Sequence, residues 1–110
     1  MKTIVTDEDV EKALEFLRDN ATYAAKCRAE RIYCEEYRKT IKAEIMGVYN
    51  HLPISAQERQ AYSSDKYINH LQVLKLAIEK DEKQRFLMKA QEAVIEAWRT
   101  QNANMRAMKL

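Results

Sequence analysis

Few side chains in this sequence could do chemistry. They are His51 and His70, Cys27 and Cys34, and the carboxylates and guanidinium groups set along helical stretches. Two imidazoles and two thiols would be enough donors for zinc, but their spacing matches no zinc-binding pattern. Cys27 and Cys34 stand seven residues apart, roughly 10 Å along one helix, which is too far for a disulfide within it. Glu30 and Glu92 could face each other as an acid/base or metal pair, yet the Glu-x-x-His signature of di-iron bundles is missing. There is no Gly-rich phosphate loop, no nucleophile elbow and no Ser-His-Asp set. The sequence therefore predicts a protein that is not an enzyme and holds no metal or cofactor.

The elements that would position these groups are helices. The chain has 110 residues, room for a single helical domain spanning 1–110, with one Gly, one Pro and 33% charged residues. So few turn-formers cannot supply the reversals of a sheet, while Ala, Glu, Lys, Arg, Gln, Leu and Met favour helix. Helices are predicted at about 7–19, 21–49, 56–62 and 65–106. Thr6 opens the first, with Asp7, Glu8 and Asp9 at the positive end of its dipole and Ile4 or Val5 stapling onto Val10. Asn20 is the expected kink or cap between the first two helices. Pro53 ends the second, Ser55-Ala56-Gln57-Glu58 has the form of a capping box, and Ser63-Ser64-Asp65 caps the last. Glu35 and Lys39 are spaced for an i,i+4 pair.

The expected seam of the second helix is Tyr23, Cys27, Cys34, Tyr37, Ile41, Ile45 and Val48. That of the last is Tyr67, Leu71, Leu74 and Ile78, a register that continues through Arg85, Glu92 and Arg99. Charges fall on or beside these stripes at Glu30, Arg31, Arg38, Arg85, Glu92 and Arg99. Either they snorkel out of a drifting seam, or they are buried as an interhelical charge network that fixes the hairpin. Beyond Asp81 the apolar positions spread around the helix, so a second subunit is expected to cover Phe86, Leu87, Val94, Trp98 and Met105. The predicted fold is all-α: a long helical hairpin, antiparallel and coiled-coil-like, with a short N-terminal helix, oligomerising as a dimer or higher into a helical bundle.

The net charge is +2, from 19 basic and 17 acidic residues. It is uneven, with net −3 over residues 1–20 and net +4 over 66–110. This is weaker than the basic stripe of a dedicated nucleic-acid binder. A nucleic-acid face, if one exists, would use Arg28, Arg38, Lys42, Lys75 and Lys83. Six tyrosines could anchor core edges and interfaces, or stack single-stranded bases. No signal segment and no membrane-length apolar run is seen, and free thiols suit a reducing cytosol, so no membrane association is expected.

Three runs carry a resemblance: Ala29-Glu30-Arg31-Ile32-Tyr33-Cys34-Glu35-Glu36-Tyr37-Arg38-Lys39, then Ala56-Gln57-Glu58-Arg59-Gln60-Ala61-Tyr62, then Ala90-Gln91-Glu92-Ala93-Val94-Ile95-Glu96-Ala97-Trp98-Arg99-Thr100-Gln101. Over most of its length the chain resembles a family of small, largely uncharacterised helical bacteriophage proteins found near phage replication and recombination genes. The resemblance brings no catalytic residues. It implies a phage protein working in the bacterial host cytoplasm, in DNA metabolism or against a host system, through a protein partner or nucleic acid.

Overall fold

A computed structural model describes residues 4–109. It contains α1 (Asp7–Val48), α2 (Ile54–Ser63) and α3 (Asp65–Lys109), with no strand among the described residues. The helical hairpin expected from composition is present, with α1 and α3 packed antiparallel.

The starts and stops have local causes. Thr6 and Asp9 form a reciprocal cap: the Asp9 N–H donates to Thr6 Oγ1 at 3.1 Å, and the Thr6 N–H donates to Asp9 Oδ2 at 2.9 Å. Beyond Val48 the chain turns through hydrogen bonds from Tyr49 N–H to the Met46 carbonyl and from Leu52 N–H to the Tyr49 carbonyl. Ser64 caps α3 by accepting from the Tyr67 N–H at 3.2 Å.

Three sequence expectations are corrected here. Asn20 does not break the helix; α1 runs through it for 42 residues, because its side chain has a partner across the seam instead of capping a terminus. Ser55 does not cap α2, which begins at Ile54 after Pro53; Gln57 instead donates to the Leu52 carbonyl at 2.8 Å. Glu35 pairs with Arg31, while Lys39 takes Glu36 at 3.3 Å.

The chain divides into two compact units, Lys26–Glu82 and the pair Met1–Ala25 with Lys83–Leu110. In the first, the α1 seam is Cys27, Arg31, Cys34, Arg38, Ile41 and Ile45, and the α3 seam is Tyr67, His70, Leu74, Ala77 and Asp81. Cys34, Leu74 and Ala77 form its core cluster, with Ile78 against it, and Ile41 is 1% exposed. α2 contributes Ala61, fully buried, and Tyr62, whose ring meets Tyr67 edge-on at 5.3 Å.

In the other unit the α1 seam is Val10, Ala13, Leu17, Asn20 and Ala24. Its α3 seam is Gln84, Met88, Gln91, Ile95, Trp98 and Asn102. Each of these sets alternates steps of three and four, the heptad spacing that keeps one face of a helix on its neighbour. The register differs from the expected stripe of large residues. Leu71 lies outside the seam, and Arg85, Glu92 and Arg99 are exposed.

Candidate interaction surface and polar seam

Asn20 and Arg31 of the α1 seam are matched to polar residues of α3. Asn20 Nδ2 donates to Gln84 Oε1 at 2.6 Å. Arg31 Nη1 donates to Asp81 Oδ2 at 3.1 Å and to Glu82 Oε1 at 3.0 Å, while its Nε donates to Glu35 Oε1 at 3.1 Å. Three carboxylates around one guanidinium, Glu35 foremost, hold Arg31 well above its ordinary proton affinity. Among the described residues no buried side-chain nitrogen or oxygen lacks a partner. A seam satisfied to this degree specifies one alignment of the two helices, since a slip would strand each of these groups.

The charge cluster in the seam shares only Arg31 with the expected network. Arg31 is its centre, but its acids are Asp81, Glu82 and Glu35. Glu30 instead accepts from the Cys34 thiol at 3.6 Å. Arg38 takes a half-buried seam position, and Arg99 reaches Glu96 at 3.5 Å on the surface.

His70 and the cysteines are built into the seam. The His70 Nε2 lies 2.7 Å from the Cys34 carbonyl, which can only accept, so this nitrogen carries a proton. The ring also meets Tyr37 edge-on at 5.4 Å. Burial first, and the Glu30 carboxylate second, push the Cys34 thiol up, so it stays protonated and a poor nucleophile. His51 stands apart, against Tyr49 in the loop. Among the described residues no group of three or more His, Cys, Asp or Glu is placed to hold a metal ion.

The basic residues named for a nucleic-acid face include both engaged and exposed side chains. Lys42 Nζ sits 4.9 Å above the Tyr62 ring and 3.8 Å from Glu58. The proximity of Tyr62 leads the causes that raise its proton affinity. Arg28 and Lys75 are exposed in the Lys26–Glu82 unit, and Lys83 belongs to the other one. Tyr33 stacks on Tyr37 at 5.9 Å and leaves 62% of itself in solvent.

Several large apolar side chains lie outside the core while small or polar neighbours are buried. In the Lys26–Glu82 unit, Val73 (50% exposed) and Leu76 (58%) face outward on α3 while Ala77 and Asp81 are buried. In the other unit Phe86 (65%), Leu87 and Met105 face outward while Gln84 is buried. Two members of the expected oligomer contact are engaged within their own unit. Trp98 occupies the seam and donates from Nε1 to Asp7 Oδ1 at 2.9 Å. Val94 lines a groove with Ile4, Val5 and Gln91. Sequence reasoning also missed Gln101, which grips the backbone of Val5 through two hydrogen bonds; no periodicity signals a glutamine that binds an extended segment.

Comparisons with protein families, with curated proteins and with solved structures found no match. No helix among the described residues is long and apolar enough to cross a membrane.

Proposed function

We propose that this is a non-enzymatic, phage-encoded helical protein that acts by binding another protein, and that it self-associates through the exposed apolar side of α3. The partner is a component of phage replication or recombination, or a host factor that the protein inhibits, met in the bacterial cytoplasm. The resemblance to small phage proteins supports that setting. The observation carrying the reading is an inversion on α3 within each unit: Val73 and Leu76 are exposed while Ala77 and Asp81 are buried in one, and Phe86 and Leu87 are exposed while Gln84 is buried in the other. Isolated apolar residues on a surface are ordinary, but neighbours of this size beside small and polar buried positions mark an interaction surface.

A protein partner fits better than nucleic acid because the central cations already have internal roles. Arg31 serves three carboxylates and Lys42 lies over Tyr62. The reading is tested by titrating a fluorescent single-stranded oligonucleotide into the protein at low and moderate salt. No binding at either salt agrees with it. Binding that fades steeply with salt would instead support a nucleic-acid accessory of phage replication or recombination, with Arg28, Arg38, Lys42, Lys75 and Lys83 as its contacts.

A further inference from the structure

The N-terminal strap, Ile4 to Thr6, is held on α3 by a side-chain clamp on its main chain. Gln101 acts as a substitute peptide group. Its Oε1 accepts from the Val5 N–H at 3.1 Å, and its Nε2 donates to the Val5 carbonyl at 2.8 Å. This is the pair of bonds that a residue on a neighbouring β-strand would make. It reads the main chain and ignores the side chain, so any extended segment can satisfy it.

Grooves open on both sides of the gripped residue. One is lined by Ile4, Asp9, Lys12, Gln91 and Val94. The other follows α3 past Ala93, Ala97, Thr100 and Asn104 to Met105. Val5 of the strap walls both grooves, while Ile4, which borders only the first, remains 63% exposed. Ile4 and Val5 can also leave without harm to α1, because the reciprocal Thr6–Asp9 cap lies downstream of them and is complete in itself.

We infer that this track is a peptide-binding site. The strap is its resident plug, and the occupant is an extended segment of a partner protein that presents an aliphatic residue where Val5 now lies. This deepens, and rests on, the protein-binding reading above. A longer segment gains over the strap by continuing across Ala97 and Met105 while keeping both bonds to Gln101. The strap competes as a tethered ligand, so it sets a threshold that weak peptides do not pass.

The test uses full-length chains and a fluorescein-labelled peptide of residues 1–6 as probe, read by anisotropy. Val5→Pro removes the N–H that Gln101 accepts and so frees the track. The Val5→Pro chain should bind the probe at least about tenfold more tightly than the parent, as removal of a tethered competitor requires. Adding Gln101→Ala should abolish that binding, and Gln101→Glu, which keeps the size and removes the donor, should weaken it. Circular dichroism on each variant confirms that the helices are intact. Equal binding by parent and Val5→Pro, or binding indifferent to Gln101, would overturn the inference. So would conversion of a parental dimer to monomer by Val5→Pro, which would assign the track to straps exchanged between copies. Each of these outcomes leaves association through Phe86 and Leu87 measurable on its own, so the broader reading stands or falls separately.

Discussion

Asn20 in α1 and Gln84 in α3 are joined by one short hydrogen bond, 2.6 Å from Nδ2 to Oε1, at positions where a heptad-spaced seam would ordinarily carry leucine. Gln84 is only 9% exposed, so loss of its partner leaves a largely desolvated amide. Replacing Asn20 by Ala should destabilise the protein by about 1–3 kcal/mol, the desolvation cost of the stranded glutamine. Replacing both by Leu should be near neutral or stabilising, because no polar group is then left behind. Urea unfolding of the single and double variants distinguishes the two effects. A single variant as stable as the parent would mean that the bond does not form in solution.

Arg31→Met should lower the unfolding midpoint, because it leaves Glu35, Asp81 and Glu82 clustered without a cation. Added salt should narrow the gap between variant and parent, since screening relieves repulsion in the variant and weakens attraction in the parent. A gap independent of salt would show that packing of the arginine stem dominates.

Cys34 gives a pH dependence of definite sign. Its folded thiol is held above the ordinary value of about 9, by burial first and by Glu30 second. Above that pH the unfolded chain releases a proton that the folded chain keeps. This contribution to stability is therefore complete below pH about 9 and is lost as pH rises toward the folded value. Stability should fall more steeply as pH rises above about 9 in the parent than in Cys34→Ala. In a Cys27→Ser background, Cys34 should also react with a thiol reagent at least about tenfold more slowly than free cysteine until urea is added. Rapid reaction of the folded protein would contradict its buried, protonated state.

Gly47 lies in the last turn of α1, with no positive φ and no atom within 4 Å of where a Cβ would sit. Gly47→Ala should therefore stabilise the protein by about 0.5–1 kcal/mol, through reduced freedom of the unfolded chain. Thermal melting checks this, and a lower melting temperature would show that the turn after Val48 needs the glycine.

What could be read from the sequence, and what could not, follows from where each signal resides. Pro53, Ser64 and the Thr6–Asp9 pair mark helix ends because their effects are local, and composition alone excludes a sheet. The seam was legible in part: Cys27, Cys34, Ile41, Ile45, Tyr67 and Leu74 stand in it as their spacing implies. Ala13, Ala77, Asp81 and Gln84 were not read, because small or polar residues become acceptable inside only once their partners on the other helix are known. Asn20 shows the same limit: in one dimension it is a helix cap, and in three it is a partner for Gln84. Arg31 could be identified as a network member, yet its acids could not, since choosing Asp81 and Glu82 over Glu92 requires the register. Gln101 gave no signal because a main-chain clamp has no sequence pattern.

Trp98 separates folding from association. It is half-buried in the seam and bound to Asp7, so Trp98→Ala should destabilise the folded chain by about 3 kcal/mol, the low end for a buried tryptophan. It should leave the association state of the remaining folded protein unchanged. Loss of association without loss of stability would place Trp98 at the contact between copies.

The central claim is that the exposed apolar side of α3 binds protein, beginning with a second copy of the chain. Multi-angle light scattering on a sizing column tests it most directly, comparing the parent with a Phe86→Glu, Leu87→Glu double variant of equal helicity. The account predicts a parent of twice the 13.0 kDa chain mass or more, and a variant at the mass of one chain. A parent that elutes as a single chain at all concentrations, or a variant that associates as the parent does, would contradict it.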